Sequence, residues 1–248
     1  MVYTYRSFTS DVLKGLTFFL DLRLLFVFVL IFLSIFVFNY LGLFALFGLT
    51  PHLSLSSARA MQNPAGADMG LLLFVVSVFV VIFLLELELY VKQDQAKHKS
   101  ISSMLRTAVV NYPEFIIATF FQYLVMIGGL ILFVVPGLIL GPLYEFISTS
   151  TIVDNAAFFK AAEASSSAAK SDFVKSLILL LLFLAIGFVF LYVLMIALGG
   201  VGLLYRYIIG SLLLSYLLVA FTATSFEVFY SLNIASGGSK KKLVINPN

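Results

Sequence analysis

The chain contains no cysteine, which removes disulfides, thiolate nucleophiles and cysteine-ligated metals together and leaves the redox compartment open. Histidine is nearly absent. His52 and His98 are the only two, and the topology derived below puts them on opposite sides of a membrane, where they cannot share a metal or a proton. Charge is the third shortage: 11% of the residues are charged, against about 25% in an ordinary soluble domain. Phosphate-cradling Gly-x-x-x-x-Gly-Lys loops, H-E-x-x-H helices and G-x-S-x-G elbows do not occur. With these parts missing, the sequence assigns no catalytic residue, no metal ligand and no cofactor, and a non-enzymatic protein is expected.

What the chain has instead is apolar length. Hydrophobic residues make up 62% of its 248 positions, so water is not the main solvent of the fold. Runs at 24–49, 69–91, 115–134, 137–152, 173–198 and 203–232 match the roughly 20 residues needed to cross a hydrocarbon layer about 30 Å thick. The expected fold is therefore all-α: a polytopic membrane protein of about six transmembrane helices, forming one membrane domain over 1–234. Residues 235–248 combine Ser and Gly with Lys240, Lys241 and Lys242 and have no periodicity, which predicts a flexible basic tail.

Orientation follows from the basic residues, which are retained on the cytoplasmic side. With both termini cytoplasmic, thirteen of the fifteen Lys and Arg residues lie inside, and only Arg59 and Arg206 outside. The expected location is the cell membrane, multi-pass. The formal charge of +3 is spread over the ends of apolar runs rather than gathered on one face, which argues against nucleic acid as a partner. Ala58-Arg59-Ala60 has the form of a signal-peptidase site, but the apolar run before it is about twice the length of a signal h-region. Residues 51–68 are read as an external loop.

The cytoplasmic connectors are amphipathic. In 8–20, Phe8, Val12, Leu16 and Phe19 share a helical face, opposed by Asp11, Lys14, Thr17 and Asp21. In 101–112, Ile101, Met104, Leu105, Ala108, Val109 and Tyr112 are opposed by Ser102, Ser103, Arg106 and Asn111, with Pro113 opening the next span. Segment 155–170 sets Phe158, Phe159 and Ala162 against Lys160, Glu163 and Ser167. The chain thus reads as three units (1–92, 93–154 and 155–234), each an interfacial helix followed by a hairpin of two spans. Short connectors in any membrane protein give a similar pattern, so this alternative stays open.

Ionisable residues in or beside the spans are expensive in lipid and mark candidate sites. Glu145 lies about seven residues into the fourth span, roughly 10 Å along the helix. Arg206 opens the sixth from the same side, so a Glu145–Arg206 pair is expected, either as an interhelical clamp or as a proton or substrate site. Glu86, Glu88, Glu114 and Glu227 map to the cytoplasmic edge, within reach of water or lysines. Gln122 and Asn39 sit in apolar surroundings and call for interhelical hydrogen bonds. Pro136 and Gly137 suit a tight external turn between spans, and Gly137 with Gly141 forms a small-xxx-small pair.

Val134-Val135-Pro136-Gly137-Leu138, then Ile152-Val153-Asp154-Asn155, then Ala161-Ala162-Glu163-Ala164-Ser165 resembles membrane-only proteins related to the membrane domain of glycerophosphoryl diester phosphodiesterases. In that group a Pro-Gly turn, a Val-Asp-like pair and an Ala-x-x-x-Ser helix occur in this order. The matching positions are Pro136, Gly137, Val153, Asp154, Ala161 and Ser165, and the likeness covers the central third of the chain. The connector here is richer in Ala and Ser than in the group. The resemblance implies a membrane domain without phosphodiesterase activity, which resides in a soluble domain. The functional expectation is an accessory or scaffold protein whose partners are membrane lipids and another membrane subunit or a second copy of itself. The alternative is a small transporter or permease for a hydrophobic or lipid-like solute.

Overall fold

The computed structural model describes residues 8–47, 64–93, 101–128, 134–197 and 203–235. Among these residues the chain is helical with no strand. Helix α1 (Phe8–Leu16) leads through a 3₁₀ turn (Phe18–Leu20) into α2 (Leu22–Phe47). Then come α3 (Pro64–Gln93), α4 (Ile101–Tyr123) with a π-helical end (Leu124–Gly128), α5 (Val134–Tyr144) and α6 (Ile147–Val153). The chain continues as α7 (Phe158–Ser171), α8 (Phe173–Ala197) and α9 (Leu203–Ala235).

Helix α2 shows why these runs are helical and what surrounds them. Leu24, Val27, Ile31 and Ile35 recur at helical spacing and are buried against α3 and α9. Phe26, Val29, Leu33 and Val37 on the other side are exposed, Phe26 by 56%. A helix of a soluble bundle would put polar groups on that outer face. In hydrocarbon an apolar outer face is favourable, and the backbone must satisfy its own hydrogen bonds, which leaves the helix as the local structure. Among the described residues three helices are long and apolar enough to cross a bilayer: Leu71–Gln93, Ser102–Met126 and Ile208–Asn233. The bent pair Phe158–Ser171 and Phe173–Val189 makes a fourth if it counts as one span, while the described stretches Leu22–Phe38 and Gly137–Val153 are apolar but shorter.

Helix α9 is the hub, in contact with α1, α2, α3, α6, α7 and α8. The α1 contact departs from the expected interfacial helix. Asp11, placed on the polar face by its sequence neighbours, is buried, as is Gly15. Phe8, Val12 and Leu16 are only half-buried, and the Phe19 side chain lies outside the described ones. A Cβ on Gly15 would fall 1.9 Å from Thr224 Oγ1 and 2.6 Å from the Thr224 Cα, so α1 and α9 touch almost backbone to backbone. Tyr216 Oη donates to the Leu16 carbonyl at 3.1 Å, and Phe8 packs on the cluster holding Val228, Phe229 and Leu232. Helix α1 therefore runs along α9, and the face turned inward is the one whose glycine permits the closest approach.

The second amphipathic segment is not a separate helix either. Pro113 lies inside α4 on its exposed side. The buried stripe of Met104, Ala108, Phe115, Ala118 and Gln122 passes it without a change of register. Of the residues expected on one interfacial face, Met104 and Ala108 are buried, whereas Leu105 and Val109 are exposed, Val109 by 63%. The side chain of Ile101 lies outside the described ones. In the third segment Ala161, Ser165, Ala168 and Ala169 of α7 are buried, and Phe159 is 83% exposed. Helix α7 meets α8 at 102°.

Candidate functional site: a sealed break in a buried helix

The run 137–152 is not one helix. Pro142 is carried inside α5, where its missing N–H and its ring fall on the turn before it rather than on the break. Helix α5, which contains it, stops at Tyr144, and α6 begins at Ile147. Pro136 and Gly137, expected to form the reversal, lie instead in the first turn of α5. There a proline's missing N–H would have had no partner inside the helix. Gly141 abuts α8: a Cβ there would lie 2.8 Å from Leu180 Cδ2.

Breaking a helix inside a packed core frees backbone groups that must be bonded elsewhere. One side chain supplies the repair. Ser165 Oγ, on α7, accepts the Phe146 N–H at 3.2 Å and donates to the Leu143 carbonyl at 2.9 Å. Ser165 is fully buried, so the hydroxyl bridges both sides of the break where water cannot substitute.

Helix α6 is held from both ends. At its start, Gln122 Oε1 of α4 accepts the Ser148 N–H at 3.2 Å and the Ser148 hydroxyl at 2.7 Å. Thr119 Oγ1 and Ser148 Oγ lie 3.1 Å apart. These are interhelical bonds of the kind expected for Gln122. At its end, Gln93 Nε2 of α3 donates to the carbonyls of Ile152 at 3.2 Å and Val153 at 3.4 Å. Asn155 takes a positive φ of 48°, and the Ala156 N–H returns to the Thr151 carbonyl at 3.2 Å, closing a Schellman-type cap. Residues Ile147 to Ile152 are all buried. Four consecutive hydroxyl residues, Ser148 to Thr151, are thus carried into the core.

Three carboxyl groups are buried on α3 and at the break. Glu86, Glu88 and Glu145 are each fully buried, and none of their oxygens has a hydrogen-bond partner among the described residues. Glu86 and Glu88 do not reach water, contrary to expectation, while Glu88 does lie within reach of the Lys92 charge. Further along α3, the buried Lys92 pairs its ammonium with Glu227 Oε1 at 3.0 Å. Glu114 is exposed and accepts the Phe158 N–H at 3.2 Å, at the start of α7. The side chain of Arg206 lies outside the described ones, as does that of Asn39, so the Glu145–Arg206 pair falls there too.

Between α3, α4, α6 and α9 is a cavity of about 20 Å³, enough for one water molecule. Leu85, Phe115, Gln122, Ser148, Thr222 and Ser225 line part of it. Ser225 Oγ is buried and has no partner among the described residues. No group of three or more His, Asp or Glu side chains placed to hold a metal ion occurs among the described residues.

The fold and this site define an all-helical protein with several bilayer-length apolar helices, packed around a short, discontinuous, hydroxyl-rich one. Compared with known proteins, the chain matches no family model, no curated protein and no solved structure. Ser165 and the Ser148–Thr151 tetrad were not singled out as a site by sequence reasoning. Four adjacent hydroxyl residues within an apolar run, preceded by Pro142, are the signal that points to them.

Proposed function

We propose that the protein is a cell-membrane protein of six spans with both termini cytoplasmic. It serves as a non-enzymatic accessory or scaffold, bound to lipid and to another membrane subunit or a second copy of itself. The observation that carries this reading is helix α7. It turns 102° from α8, buries its alanine and serine face, and presents Phe159 with the exposed Lys160, Glu163 and Lys170 outward. A helix at right angles to a span, apolar toward the bundle and mixed aromatic and charged on its outside, suits the inner membrane surface or a partner docked there. The same reading takes the chain as a membrane-only relative of the glycerophosphodiesterase membrane domains. Five of the six positions of that likeness then acquire jobs: Pro136 and Gly137 start α5, Val153 and Asp154 end α6, and Ser165 seals the break.

Extraction in mild detergent and native mass spectrometry of the intact assembly tests the proposal. A stoichiometric complex with a second membrane protein or a defined homo-oligomer supports it, whereas a bare monomer argues against it. One observation favours the alternative of a small transporter: discontinuous helices carrying buried polar groups are the building material of transport sites. Solute uptake by proteoliposomes containing only this protein, abolished by Glu145→Gln, would decide for that alternative.

A further inference from the structure

The break between α5 and α6 is furnished in a way that an accessory role does not require. Glu145 follows the last residue of α5, where the partial negative charge of the helix's carbonyl end gathers. Donors that would stabilise a carboxylate there are already engaged: the Phe146 N–H by Ser165 and the Ser148 N–H by Gln122. The side chain is fully buried and neither oxygen has a hydrogen-bond partner among the described residues. Charged groups stand on every element packed against the break. They are Glu86, Glu88 and Lys92 on α3, Arg106 and Glu114 on α4, Lys160, Glu163 and Lys170 on α7, Lys175 on α8 and Glu227 on α9, while the side chains of Asp68 on α3 and Arg206 on α9 lie outside the described ones. None of the described ones is hydrogen-bonded to the Glu145 carboxyl.

Among the described residues an ion there would find neither an ion-pair partner nor a hydrogen bond, and the carboxyl resolves this by taking up the smallest cation available. We propose that Glu145 is a proton-binding site, a neutral carboxylic acid at the helix break whose proton exchanges with water. Three residues on, Ser148 opens the chain Ser148, Gln122, Thr119 that lines the one-water cavity between α3, α4, α6 and α9. This site goes beyond the accessory reading and does not depend on it.

Infrared difference spectroscopy on the full chain in lipid nanodiscs tests the assignment. Subtracting the Glu145→Gln spectrum from that of the wild type at pH 7 should leave the C=O stretch of a neutral carboxylic acid. That band should shift down in heavy water and give way to carboxylate stretches as the pH is raised. Glutamine has the shape of the neutral acid, so the variant should fold. Glu145→Asp, which keeps an acid but moves the band, serves as the second comparison. Carboxylate bands left at pH 7 by that subtraction would overturn the proposal by showing an ionised side chain. An acid band that does not move in heavy water would overturn it equally, by showing a sealed structural acid.

Discussion

Replacing Ser165 with alanine isolates the repair of the broken helix. The hydroxyl serves two backbone groups, the Phe146 N–H at 3.2 Å and the Leu143 carbonyl at 2.9 Å, and Ser165 and Phe146 are both fully buried. Alanine leaves the N–H with nothing to bond, and an orphaned buried group costs about 1–3 kcal/mol. The carbonyl belongs to a half-buried residue and adds less, so the gross loss is about 2 kcal/mol. Alanine's better helix propensity returns about 0.5 kcal/mol. The net, about 1.5 kcal/mol, corresponds to a fall in Tm of about 3–6 °C for a chain of this size. Because the chain has no tryptophan, the assay is the retention of a fluorescent-protein fusion on size exclusion after heating. Ser167→Ala on the exposed side of the same helix should change stability by no more than about 0.5 kcal/mol. If both variants melt together, the bridge across the break does not stabilise the fold and the account of α5 and α6 is wrong.

Other expectations concern α1, the edge ion pair and the topology. Gly15→Val should unseat α1 from α9 and cost about 2 kcal/mol or more, since the new atoms meet Thr224 backbone. Gly187→Ala on α8, where a Cβ meets nothing within 4 Å, should be neutral or stabilising by about 0.5–1 kcal/mol; equal melting of the two would refute the close contact. Lys92 and Glu227 pair with side-chain exposures of 3% and 16%. Lys92→Met alone should therefore destabilise by about 3–5 kcal/mol, with part of the loss recovered in the double variant Lys92→Met, Glu227→Gln. Additive losses in that double-mutant cycle would mean that the two charges do not interact. Cysteines introduced into this cysteine-free chain at Ser56, Ser100 and Gly238 should be labelled from outside at Ser56 alone. Any other pattern contradicts the orientation.

How far a sequence reaches here depends on whether the cause of a feature is local. Helical class was legible because runs such as 173–198 combine apolar length with the absence of internal proline, and a backbone in hydrocarbon has few alternatives to the helix. Gln122 was legible as an interhelical donor or acceptor because a lone amide in an apolar run must find a partner. Pro113 and Pro136 misled as boundaries because proline tolerates more than one context. On the exposed side of α4 it is carried within a helix, and at the start of α5 its missing N–H matters little. The break itself lies beyond Pro142, which α5 carries within it, and it is bridged by Ser165, a side chain from another helix.

By itself, then, the sequence determined the solvent of the fold, its helical class and the order of its apolar segments, because each follows from composition and from short-range hydrogen bonding. The tertiary structure alone decided which faces turn inward. Asp11 is buried because Gly15 lets α1 close on Thr224, and Glu86 and Glu88 are buried because α3 is covered where an aqueous edge had been expected. Ser165 lies within the break because α7 crosses it. Burial is a property of pairs of elements, set by shape and distance between residues far apart in the chain, and hydrophobic patterning within one segment cannot carry that information.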